Sequence, residues 1–151
     1  MLKTFQYRLY PTAEQQRRLT ATLDECRWLY NHFLEQRKVA WDERQEGIKL
    51  YDQLGELPAL KAAHPSLATV HSQVLQNVGV RIDLAFAAFF RRCKAGEQPG
   101  YPRFRGRERY DSFCYPQAPS GCQLLGDRLT LSGVGTVRVV LHRPLEGKPK
   151  T

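Results

Sequence analysis

Leu2-Lys3-Thr4-Phe5-Gln6-Tyr7-Arg8-Leu9-Tyr10-Pro11 decides the fold class. Phe5, Tyr7 and Leu9 fall on one side of an extended backbone and Gln6 and Arg8 on the other. That is the alternation of a half-buried strand, and Pro11 ends it. A strand needs partners for its backbone N–H and C=O groups. No other strand-like run appears until after Arg109, where Tyr110–Tyr115, Cys122–Leu125, Arg128–Leu131 and Val134–Leu141 follow. Gly126-Asp127 between the second and third of these is a two-residue hairpin signal. The expected class is therefore α+β. It comprises a small antiparallel β-barrel of residues 1–10 and 110–143, with a helical bundle of two long helices and shorter ones inserted between them.

The inserted residues 11–109 read as helices. Thr12 with Gln15 makes a capping box. Leu19, Leu23, Cys26, Tyr30 and Phe33 then follow at spacings of 4, 3, 4 and 3, one apolar stripe that predicts a helix to about Arg44, stopped by Gly47. Leu50–Leu54 and Leu57–Ala63 are short helical pieces, broken by Gly55, Pro58 and Pro65. Val74, Val78, Ile82, Ala85 and Phe89 predict a second long helix over about 67–94, capped by Ser66 or Thr69. Gly79 inside it costs about 1 kcal/mol against Ala, which suggests close approach of another backbone. Residues 144–151 are polar, with Gly147, Lys148, Pro149 and Lys150, and read as a linker.

The chain carries 23 Lys and Arg against 15 Asp and Glu, a net charge of +8. Seven of the basic residues (Arg91, Arg92, Lys94, Arg103, Arg105, Arg107 and Arg109) lie between 91 and 109, with only Glu97 and Glu108 opposing them. Tyr101, Phe104 and Tyr110 are interleaved with the arginines, and Gly96, Pro99, Gly100, Pro102 and Gly106 shape the segment as a loop. Guanidinium forks grip phosphates and ring faces stack on unpaired bases, so the composition points to polynucleotides. A solubilising loop is the alternative. Arg91, Arg92 and Lys94 also suit the last turn of a helix, where the dipole favours cations.

The same stretch resembles a known family. Gly100-Tyr-Pro-Arg-Phe-Arg-Gly, followed by Tyr110-Asp-Ser-Phe-Cys-Tyr, is similar to the signature of the OrfB/TnpB family of bacterial insertion sequences. Phe5-Gln-Tyr-Arg-Leu-Tyr-Pro-Thr12, Trp28-Leu-Tyr-Asn31 and Val74-Leu-Gln-Asn77 running into Ala88-Phe-Phe90 match in family order. The resemblance implies a wedge-like barrel (1–10 and 110–143), an inserted recognition domain (11–109, with basic loop 91–109) and a linker, 144–151, to a RuvC-like nuclease domain outside this chain. It implies the N-terminal part of a transposase-associated, RNA-guided DNA endonuclease, whose partners are a structured guide RNA and double-stranded DNA. It places Tyr51, Ser72, Gln76 and Asn77 where relatives read a short DNA motif. An amide can pair with adenine in the major groove, although Gln76 and Asn77 also suit an outer helix face. Arg8, Ser112 and Phe113 complete the expected contact set, Ser112 and Phe113 lying on a strand at the junction.

Catalysis is not expected of this chain alone. A metal-dependent nuclease needs convergent carboxylates, and the strands after 110 carry only Asp111 and Asp127. A divalent metal is expected only in the nuclease domain. Cys26, Cys93, Cys114 and Cys122 form no Cys-x-x-Cys pair and read as small buried hydrophobes. The four histidines read as surface or packed residues. No run of about 18 apolar residues suggests a membrane span, and the N-terminus lacks a signal-peptide core, so a cytoplasmic location is expected. Two alternatives remain: a transposon remnant acting as a non-catalytic competitor, and a free-standing DNA-binding accessory protein.

Overall fold

The structure is a computed structural model describing residues Met1–Thr151. Strand β1 (Arg8–Tyr10) leads into α1 (Ala13–Arg44), followed by α2 (Leu50–Gly55), α3 (Leu57–Ala63), a 3-10 turn (Pro65–Thr69) and α4 (Ser72–Lys94). A long loop then reaches β2 (Cys122–Leu125), β3 (Arg128–Leu131) and β4 (Gly135–Val140).

The capping box forms as its residues require. Gln15 N donates to Thr12 Oγ1 at 3.2 Å, and Thr12 N donates to Gln15 Oε1 at 3.0 Å. The apolar stripe buries Cys26, Leu29, Tyr30, Phe33 and Leu34 against α4, which contributes Val74, Leu75, Val78, Ile82 and Phe86. The left-handed residue that ends α1 is Gln45 (φ 55°), not Gly47; Gln45 N donates to Trp41 O and Glu46 N to Ala40 O. Helix α4 starts at Ser72, later than expected. The Thr69 hydroxyl donates to Ser66 O at 2.7 Å and so serves the 3-10 turn rather than capping α4. At Gly79 the close approach is to side chains, not to backbone. A Cβ there would lie 2.9 Å from Leu54 Cδ2 and 3.3 Å from Leu50 Cδ1, so the missing side chain is what lets α2 lie across α4.

The expected barrel is corrected to an open sheet. The strands run antiparallel in the order β1-β4-β3-β2, leaving β1 and β2 as unpaired edges. The strands are only three to six residues long, and closure needs a larger tilted set. Side chains of α1 instead bond main-chain carbonyls around the start of β4: Gln15 Nε2 donates to Thr136 O at 2.7 Å, and Arg18 Nη1 reaches Val134 O at 3.5 Å. Leu131, Val134 and Val137 of the sheet region share one core cluster with the helices.

Residues 110–115 are also corrected. They are extended but pair with no strand. Tyr110 and Tyr115 are buried in the core; Arg81 Nη1 donates to the strap's Ser112 O at 2.8 Å, and the strap's Tyr115 hydroxyl donates to Ser132 O at 2.7 Å. Burial pushes the phenols of Tyr110 and Tyr115 and the thiol of Cys26 each up to about 12. The folded state therefore holds these protons more tightly than the unfolded chain. Their contribution to stability is complete below about pH 9 and is lost as pH climbs toward about 12. Tyr110→Phe removes one such group, whose hydroxyl lies near the Arg81 guanidinium but makes no hydrogen bond of good geometry. We expect little change at neutral pH and a higher alkaline unfolding midpoint, read by circular dichroism.

Candidate nucleic-acid interface

The loop from Ala95 to Tyr110 is folded back on the two long helices rather than hanging free. The first anchor is Asn31 of α1. Its Nδ2 donates to Arg105 O at 2.9 Å, and its Oδ1 accepts from Arg105 N at 2.8 Å, so one side chain satisfies both main-chain groups of one loop residue. The second anchor is Tyr101, whose ring meets Phe86 and Phe89 of α4 edge-on at 5.5 and 5.3 Å. Burial there, with a smaller contribution from Asp42, raises its phenol above the ordinary value. Tyr110 is the third, buried with its ring 5.7 Å from that of Tyr30.

With those points fixed, the guanidiniums face outward. Arg91, Arg92, Lys94, Arg103, Arg105, Arg107 and Arg109 are all exposed. The intramolecular ion pairs involving them are Arg92–Glu97 at 3.9 Å and Arg107–Asp24 at 4.0 Å, both long and solvent-exposed and so weak. Arg105 lies over the Tyr30 ring, 5.7 Å from its centroid. The protein's own acids therefore leave most of the loop's charge uncompensated. Between the loop and α4 runs an open groove of about 410 Å³, lined by Arg92, Tyr101, Arg103, Phe104, Arg105 and Arg109 over a floor that includes Phe89 and Ala85.

The other expected contact residues lie elsewhere. Tyr51 stands 83% exposed on α2, and Ser72 and Gln76 are exposed one turn apart on α4, Ser72 Oγ accepting from Lys61 Nζ at 3.0 Å. Asn77 is half-buried. Gln76 and Arg91 are fifteen positions apart on one helix, about 22 Å along its axis. The loop nevertheless folds back along α4, where its groove reaches Ala85, nine positions from the expected motif-reading residue Gln76. Arg8 lies on β1 with its guanidinium over the Tyr10 ring, and it does not line the groove. Two more of the expected residues are covered to different degrees. Tyr110 is a core residue with no face for a base, and Phe113 is half-buried, tilted against Tyr115 beside the core. Ser112 offers an exposed side chain, while its carbonyl is held by Arg81.

Sequence reading missed Asn31 and Arg81 as positioning residues. An amide in the middle of a long helix was the available signal for Asn31, since asparagine is a poor interior helix former. Asn31→Ala should speed hydrogen exchange at the Arg105 amide roughly tenfold or more, from two lost hydrogen bonds, while the global thermal midpoint moves little. Unchanged exchange would show that the loop is held by other contacts.

The remaining chemistry-bearing residues are packed or half-buried, apart from the exposed His142 and Cys93. His64 and His32 sandwich the Trp28 ring at 4.1 and 5.0 Å, and His64 Nε2 lies 3.0 Å from Glu25 Oε2. His71 lies against Tyr115 and His142 against Tyr7. All four cysteines are free. Cys26 is buried, but Cys93 is exposed, contrary to expectation, because it sits on the outer face of the last turn of α4. No group of three or more His, Cys, Asp or Glu is placed to hold a metal ion. No helix is long and apolar enough to cross a membrane.

Fold and loop together define a small α+β protein with an uncompensated cationic, ring-bearing face suited to nucleic acid. Residues 1–46 match the family model of the OrfB IS605 helix-turn-helix domain. A "Putative RNA-guided DNA endonuclease" of Streptomyces pristinaespiralis is 32% identical over 109 residues, which make up 71% of this chain and 26% of that relative. Residues 1–46 thus resemble the OrfB IS605 helix-turn-helix domain, and the chain spans about a quarter of the length of the curated relative it matches. The matched domain's name does not describe its geometry here. Residues 1–46 hold one short strand and one unbroken helix, and the helix packed against α1 is α4, well beyond the match.

Proposed function

We propose that the chain is the polynucleotide-binding part of a transposon-encoded RNA-guided DNA endonuclease, carrying structured guide RNA and contacting double-stranded DNA beside the target. One observation carries this reading: the arginines of the 91–109 loop are held outward by internal anchors and find almost no acid of their own. Arg91, Arg92, Lys94, Arg103, Arg105, Arg107 and Arg109 contact phosphates; Tyr101 and Phe104 offer ring faces. Ser72, Gln76 and Tyr51 form the second patch, and Gln76, exposed on its helix, reads base edges of the target-adjacent motif. In this assignment residues 1–10 and 110–143 carry the sheet, 11–109 the recognition helices, and 144–151 the connection to a nuclease domain, where the divalent metal binds. This chain supplies binding, not cleavage, and works in the cytoplasm.

The test is a salt titration of the 151-residue chain with a structured RNA. If about six phosphates are contacted, log affinity falls with log salt with a slope near −5. A slope near zero refutes the assignment.

A further inference from the structure

We infer that the groove beneath the loop is a pocket for a single unpaired nucleotide, with the base laid on Phe104 and the flanking phosphates held by Arg92, Arg103 and Arg109. The inference rests on the polynucleotide reading above and names the part of the polynucleotide that enters. Three observations carry it. First, the groove's volume of about 410 Å³ lies in the range of small-ligand sites and is far too small for a duplex. Second, guanidiniums line its walls and no carboxylate does, which suits a group carrying phosphate on both sides. Third, Phe104 is 51% exposed and stacks on no other aromatic ring of the protein, whereas Phe89 and Tyr101 are engaged with each other at 5.3 Å. A large ring held half in water, on a loop clamped at the next residue by Asn31, keeps about half of its surface free for a partner. It has the placement of a stacking platform, and stacking requires a base already out of its helix.

An RNA bulge and a displaced DNA strand both present this chemistry, an unstacked base between phosphates. The experiment separates them with two pairs of blunt duplexes, one pair RNA and one DNA. Each pair compares a fully paired duplex with one carrying a single unpaired 2-aminopurine and a matched phosphate count. For the wild-type chain we expect the bulged member to bind about tenfold tighter, near the lower end of what one base–ring stack contributes. Its 2-aminopurine fluorescence should be quenched on binding. The arm in which this occurs identifies the nucleic acid. In Phe104→Ala, checked for an unchanged circular dichroism spectrum, the ratio of the two affinities should fall to about one. Equal affinity for paired and bulged duplexes in both arms, with salt-dependent binding intact, overturns the pocket and leaves the broader reading standing. A preference that survives Phe104→Ala overturns the assigned platform. Loss of salt-dependent binding in every arm overturns the broader reading itself.

Discussion

Arg103→Glu combined with Arg105→Glu lowers affinity for structured RNA roughly a hundredfold at about 0.1 M salt and flattens the salt dependence by roughly two units of slope. At that salt each neutralised phosphate contributes close to about one decade through counterion release, and the substitutions remove two such contacts. Both side chains are exposed and neither makes an ion pair within the protein, so folding should be nearly indifferent to the exchange. What Arg105 gives the fold is mainly its backbone, bonded to Asn31, and that survives a change of side chain. The side chain's approach to the Tyr30 ring is worth about 0.5–1 kcal/mol at an exposed site. Filter binding at several salt concentrations, with a thermal melt of the variant, checks both halves. A variant that melts like the wild type and binds as tightly would remove the loop from the interface.

The second large effect is on stability. Phe33→Ala should cost about 3–5 kcal/mol and lower the melting temperature by roughly 10 °C. Phe33 is fully buried where three helices meet. Its Cε2 lies 3.6 Å from the point where a Cβ on Gly79 would stand, so its ring touches the glycine face of α4 over which α2 crosses. Its carbonyl accepts from Gln53 Nε2 at 2.9 Å, and Gln53 in turn accepts from Arg37 Nε at 2.9 Å. Removing the ring leaves a void that rigid helices cannot close, next to a buried polar network that needs its geometry kept. Denaturant unfolding measures the loss. A change below about 1 kcal/mol would mean that α2 collapses into the space, and that the Gly79 contact does not fix its position.

The helices were legible because their determinants are local. Thr12 and Gln15 are three residues apart, and the stripe from Leu19 to Phe33 repeats at helical spacing, so the start and buried face of α1 follow from neighbours in the chain. The hairpin at Gly126-Asp127 is equally local. The barrel was misread because closure depends on how strands far apart in the chain meet, and no periodicity records that β1 ends as an edge. The alternation in 110–115 correctly signals extended backbone but says nothing about pairing; Arg81 bonds the Ser112 carbonyl where a neighbouring strand would have supplied a main-chain donor.

The site divides in the same way. Charge clustering in 91–109 was visible as composition, and every arginine there is exposed. The rings were harder. Tyr101, Phe104 and Tyr110 look alike in the sequence, yet one packs against α4, one stands in solvent and one is core. Asn31 was missed because its partner is 74 residues away. How far the loop folds back along α4 toward Gln76, with Ala85 in the floor of its groove, is likewise set by contacts that no local pattern records.

Ultraviolet crosslinking of the 151-residue chain to a structured RNA, followed by mass spectrometry of the modified peptides, tests the central claim most directly. The account predicts crosslinks concentrated between residues 91 and 109, at Phe104 and Tyr101 before any other ring, and none at Tyr110. Crosslinks confined to the sheet or to the N-terminal half of α1, with the 91–109 peptides recovered unmodified, would contradict it.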